Sequence, residues 1–85
     1  MNLLEHQVGE FVLRSGNICR VAFRTYKGYQ RFDVRIYYQA EDGTWQPTTK
    51  GINISVAQLL ELRRLVTDAE RLAVEAGQID PSDYE

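Results

Sequence analysis

The sequence predicts an α+β domain in which four antiparallel strands are followed by one long C-terminal helix. Three observations predict it. From Ile18 to Tyr38 apolar and polar residues alternate with a period of two, which gives each stretch one apolar and one polar face. Turn-forming pairs, Lys27-Gly28 and Asp42-Gly43, punctuate that alternation. After Ser55 the apolar period lengthens to that of a helix and persists to about Ala76.

Met1 to Gln7 has no clear period and reads as a lead-in, with His6 an ordinary surface residue. Val8 to Arg14 is a first strand, ended by the turn signal Ser15-Gly16-Asn17. Ile18 to Tyr26 is a second. It places Cys19, Val21 and Phe23 on one face and Arg20, Ala22, Arg24 and Tyr26 on the other. Beyond Lys27-Gly28, Tyr29 to Ala40 is a third strand, with Phe32, Val34, Ile36 and Tyr38 opposed to Arg31, Asp33, Arg35 and Tyr37. Asp42-Gly43 suits a tight primed turn. Trp45 to Ile54 is a fourth strand; Pro47 has no amide donor and Gly51 invites a bulge, so it is an edge or bends at Thr48 to Gly51.

Ser55 with Gln58 forms a capping-box signal, and Ile54 with Leu59 a hydrophobic staple. Gly77 supplies a left-handed end and Pro81 bars resumption. Leu59, Leu62, Leu65, Val66, Ala69, Leu72, Ala73 and Ala76 share one arc, expected to cover one face of the sheet. Val56 and Leu60 lie off that arc. They either close the open end of the sheet or meet a second chain. A chain of 85 residues is near the size at which one core is marginal, so a homodimer is expected, its interface built from Val56, Leu59, Leu60, Leu62, Val66 and Ala69. Residues 1–76 form a single domain, with the sheet at about 8–54 and the helix at about 55–76; residues 77–85, with Asp80, Asp83 and Glu85, form a short acidic mobile tail.

Composition narrows the function. Hydrophobic residues make up 44% and charged residues 26%, as in an ordinary globular domain. No apolar run approaches the roughly 20 residues of a membrane span, and the N-terminus lacks a basic leader, so no membrane partner and a cytoplasmic setting are expected. Cys19 has no partner for an internal disulfide, and with His6 it makes too small a ligand set for zinc, so no cofactor is expected. No serine or cysteine has a base at a telling spacing and no glycine-rich phosphate loop precedes a helix; an enzyme is not expected.

The net charge of −2 hides an asymmetry. Residues 14–50 carry a balance of +4, whereas residues 51–85 carry −4. Within the basic part, Arg20 to Tyr38 interleaves five Arg/Lys with four tyrosines and two phenylalanines. Cationic groups beside aromatic rings on a sheet hold a nucleic-acid backbone by charge while unpaired bases stack on the rings. The same residues also have a purely structural account, because cross-strand charge and aromatic pairs stabilise sheets; Asp33 between Arg31 and Arg35 fits such pairing best.

The ordered set Tyr26-Lys27-Gly28, Asp33-Val34-Arg35, Tyr37-Tyr38, Asp42-Gly43, Pro47 and Lys50-Gly51-Ile52, followed by the helix, resembles the single-stranded-DNA-binding domain of the positive cofactor four family of transcriptional coactivators. The resemblance covers roughly Arg20 to Val66. It implies a curved, whirly-like sheet, dimerisation through the helices, and channels that take single strands with little sequence preference. It also implies base stacking at Tyr26 and Tyr38, backbone contacts from Lys27, Arg35 and Lys50, and a place for Arg24 among the basic residues. Thr49 and Asn17 stand where the family has basic residues, which predicts weaker, less salt-sensitive binding. Alternation puts Tyr37 on the face with Arg35, whereas the resemblance gives the stacking role to Tyr38; both are candidates.

The resulting expectation is a homodimeric, sequence-tolerant single-stranded-DNA-binding protein of the coactivator type that holds melted DNA during transcription, replication or repair. Its nucleic-acid-binding residues are Arg20, Arg24, Tyr26, Lys27, Arg31, Arg35, Tyr37, Tyr38 and Lys50. RNA stays open as a ligand, and transcription or replication proteins as partners. The eukaryotic members' serine-rich, acidic N-terminal region has no counterpart in the short lead-in, which points to a bacterial, nucleoid-associated or phage setting. The alternative is a helix-mediated dimeric protein-interaction module whose basic sheet face is structural.

Overall fold

A computed structural model describes residues 3, 5–80 and 82. Met1, Asn2 and Leu4 of the expected lead-in, and Pro81, Asp83 and Glu85 of the expected tail, lie outside the described residues. The chain forms one open antiparallel sheet in the order β1 (His6–Val12), β2 (Ile18–Tyr26), β3 (Tyr29–Gln39), β4 (Trp45–Ser55), followed by a 3-10 turn at Val56–Gln58 and helix α1 (Leu59–Glu75). The α+β class and the element order agree with the sequence reading.

Each turn has a local cause. Lys27 and Gly28 take φ of 50° and 81°, so the two-residue loop is of the primed type and Tyr26 pairs directly with Tyr29. The other two hairpins use three-residue loops. Gly43 N–H bonds to Ala40 carbonyl (2.9 Å) and Ala40 N–H to Thr44 carbonyl (2.7 Å), with Gly43 alone left-handed at φ 88°. Asp42-Gly43 is therefore not the primed pair its sequence suggests: Asp42 spends its carboxylate on the Thr44 amide (3.0 Å) and hydroxyl (2.6 Å), and the glycine alone takes positive φ.

The helix begins later than its capping signal predicts. Ser55 is still paired with Arg31 as the last residue of β4, with extended φ and ψ of −66° and 148°, and makes no side-chain capping bond. Its hydroxyl meets Gln58 Oε1 at 3.4 Å instead. At the other end Gly77, at φ 75°, receives the chain as expected: Gly77 N–H bonds Val74 carbonyl and Gln78 N–H bonds Ala73 carbonyl.

The larger correction concerns packing. The helix was expected to cover the apolar face of the sheet, yet no residue of α1 is buried, and Leu60, Leu65, Val66 and Leu72 are each more than half exposed. The main contacts run between neighbouring strands, and α1 chiefly meets the 3-10 turn that precedes it. The radius of gyration is accordingly 15.2 Å, against about 12 Å for a compact domain of this length. Phe23 and Phe32 pack edge to face at 5.8 Å on the apolar face, but Val21, Val34 and Ile36 beside them stay half-buried. The most buried residues, Ile18, Ala22, Asp33 and Tyr37, instead lie with the arginines on the opposite face.

Candidate nucleic-acid interface

The register of β2 against β3 builds this face. Arg20 opposes Arg35, Ala22 opposes Asp33, Arg24 opposes Arg31 and Tyr26 opposes Tyr29, so every second pair adds charge or a ring to the same side. From β4, Ser55, Asn53, Gly51 and Pro47 face Arg31, Asp33, Arg35 and Tyr37. Between Arg35 and Tyr37 the partner strand advances from Gly51 to Pro47, so β4 carries extra residues there. Thr48 holds this bulge: its hydroxyl donates to Ile36 carbonyl (2.7 Å) and accepts from Lys50 N–H (3.1 Å), which leaves Lys50 exposed on the bulge. Gly51 is required beneath it. A Cβ there would fall onto the Val34 carbonyl oxygen and lie 2.9 Å from Arg35 Cα.

The result is a concave cavity of about 560 Å³, lined by Arg24, Arg31, Arg35, Asp33, Tyr37 and Asn53 among others, with Tyr26 at one end. Asp33 is its hub. Its carboxylate accepts from Arg35 Nη2 (2.8 Å), Arg35 Nε (3.2 Å) and Asn53 Nδ2 (3.1 Å), with Arg24 Nε at 3.8 Å. Burial pushes the Asp33 carboxyl up, but the hydrogen bonds from Arg35 and Asn53 and the charges of Arg35 and Arg24 together hold it below the ordinary carboxylate value. The same contact holds the Arg35 guanidinium above its usual value. Arg31 is fixed alongside, donating to Asn53 Oδ1 (2.6 Å) and Asn53 carbonyl (3.1 Å).

Tyr37 and Tyr38 have different surroundings. Tyr37 lies on the basic face, as alternation predicts, but it is only 6% exposed. Its hydroxyl accepts from Arg24 Nη2 (2.9 Å) and the Arg20 guanidinium lies 4.2 Å from the ring centroid. Tyr38 is exposed, paired with Gln46 and on the alternate side with Ile36. Tyr26 is 64% exposed, with Lys27 Nζ 5.4 Å from its ring centroid. The expected site residues thus fall into four places: Arg20, Arg24, Arg31, Arg35 and Tyr37 in and beside the cavity, Tyr26 and Lys27 at the hairpin tip, Lys50 on the bulge of β4, and Tyr38 on the opposite face of β3.

Sequence reasoning passed over three residues of this face. Tyr29, the more exposed partner of Tyr26, is findable because it shares the parity of Arg31. Trp45, exposed and paired with Gln39, and Asn53, the bridge from Arg31 to Asp33, keep the parity of Pro47 and Gly51, but the bulge displaces β4 along β3, so their cross-strand partners cannot be read from spacing.

A family model described as Transcriptional Coactivator p15 (PC4) matches residues 13–65, more than half of the chain, from the first turn through β2, β3 and β4 into α1. No curated protein is similar enough to the chain to be matched.

Proposed function

This chain belongs to the transcriptional coactivator p15 (PC4) family, and on that premise we propose that it binds single-stranded DNA with little sequence preference and holds melted DNA in transcription, replication or repair. One observation carries the reading: the β2–β3 register gathers Arg24, Arg31 and Arg35 around one cavity and sets two exposed rings, Tyr26 and Tyr29, at its hairpin end. Arginines hold phosphates, and a ring free on one side accepts any unpaired base. Duplex bases are already stacked, so the rings favour a single strand. Tyr37 serves as a clamp that orients Arg20 and Arg24 rather than as a stacking surface.

The homodimer belongs to this proposal. The open apolar rows of α1, including Leu60, Val66 and the half-buried Leu59 and Leu62, and the half-covered apolar sheet face are what a second copy would cover, together with Val56 and Ala69.

A second reading is favoured by one specific observation. All four arginines of β2 and β3 have acceptors within the chain, as a purely structural face requires, and the protein would then be a helix-mediated dimer that binds a protein partner. Anisotropy of labelled oligothymidine and of a matched duplex separates the two. About six backbone contacts give a single-strand salt slope near −4, hence a roughly 300-fold loss of affinity between 50 and 200 mM salt. Tyr26→Ala and Tyr29→Ala each weaken binding by the worth of a stacked base, about 1 to 3 kcal/mol. Micromolar or weaker binding, without preference for the single strand, would sink the first reading.

A further inference from the structure

At the β1 edge of the basic face, two carboxylates pair with arginines of β2. Glu5, one residue before β1, reaches across to β2: its Oε2 accepts from Arg24 Nη1 (3.1 Å) and its Oε1 from the Thr25 amide (3.5 Å). Glu10, opposite Arg20 in the register, accepts from Arg20 Nε (3.0 Å) and is steadied by Gln7 Nε2 (3.2 Å). Asp33 already occupies Arg35 from beneath, in a position only 2% exposed. The two glutamates differ from it in being accessible, with side-chain exposures of 60% for Glu5 and 38% for Glu10.

We propose that Glu5 and Glu10 are internal competitors for phosphate, which cover Arg24 and Arg20 in the free protein and yield only to a polyanionic strand. The proposal rests on the single-strand reading above. An exposed ion pair is weak, so a strand that makes several contacts at once can displace both glutamates. A lone phosphate gains one contact and loses one. The pairs thus set a threshold: they lower affinity and raise the number of consecutive phosphates needed for binding. They also flatten the salt response. When a phosphate takes an arginine from a glutamate, the counterion released from the nucleic acid is offset by one taken up at the freed carboxylate, so that contact adds little to the slope.

The test compares wild type with Glu5→Gln, Glu10→Gln and the double variant, using anisotropy of labelled oligothymidine between 50 and 200 mM salt. Thermal melts accompany each variant, and the single variants stand in if the double fails to fold. Each exposed pair that no longer has to be broken raises affinity by about 1.5- to 5-fold, so the double variant gains on the order of 3- to 20-fold at low salt. Its salt slope steepens by about 0.7 for each contact restored to full counterion release, so the gain shrinks at 200 mM. Unchanged or weaker binding with an unchanged slope, in variants that melt like a folded protein, overturns the proposal and leaves the glutamates as fasteners of β1. If the double variant gains affinity for the single strand over a wild type that already prefers it, competition is established. If neither binds, the single-strand reading itself falls and this proposal with it.

Discussion

Asp33→Asn removes one charge and almost no volume, which makes it a sharp probe of what organises the basic face. Asp33 is 2% exposed and ties together Arg35, Asn53 and Arg24. Stranding one member of a buried ion pair costs about 3 to 5 kcal/mol. Here the cost is reduced, because the Arg35 side chain keeps 23% exposure and its bond to Thr48 carbonyl (3.1 Å), and an asparagine oxygen still accepts one hydrogen bond. The expected loss is about 2 to 3 kcal/mol. Urea denaturation at one fixed protein concentration reads this out; with an m of about 1 kcal/mol/M the midpoint falls by about 2 M or more. The pH dependence gives an independent check. Because the folded carboxyl is held below the ordinary aspartate value of 3.8, its stabilisation is complete above about that pH and is lost as pH falls through the lower folded value. The gap between wild type and Asp33→Asn is therefore constant from neutral pH down to about pH 4 and closes below it. A loss under about 0.5 kcal/mol at unchanged m, or a gap that does not close in acid, would show that Asp33 is not the hub.

Three further outcomes follow from the same geometry. Gly51→Ala forces β4 away from Val34 and Arg35, so it destabilises by about 1 to 3 kcal/mol in urea melts, whereas Gly9→Ala, with open space at its Cβ, does not. Tyr37→Phe deletes one acceptor of Arg24, that of its Nη2, and is expected to cost about 1 kcal/mol of stability while leaving the number of stacked bases unchanged; a loss of affinity as large as that of Tyr26→Ala would place Tyr37 among the stacking residues. Val66→Glu, at a position 58% exposed in the single chain, leaves the fold of that chain intact but turns a dimer into a monomer by sedimentation equilibrium; an unchanged mass would move the interface elsewhere.

The difference between Tyr37 and Tyr38 shows where local reasoning ends. Alternation is a property of one strand, and it assigned Tyr37 to the face of Arg35 correctly. Whether that ring is open depends on Arg20 and Arg24, which reach it from the neighbouring strand, and no periodicity encodes such a contact. Asn53 is similar: it joins Arg31 to Asp33 only because the bulge at Thr48 to Lys50 shifts β4 against β3.

By itself the sequence determined the four strands, the Lys27-Gly28 reversal, the Gly77 helix end and the sorting of Arg20 to Tyr38 into two faces, because each depends on residues within a turn or two of one another. Only the tertiary structure decided which charges are occupied, that Asp33 is buried beneath the arginines, and that α1 stands away from its own sheet with its apolar row open. Those outcomes are set by pairing between segments ten to thirty residues apart, where register and bulges govern which side chains meet.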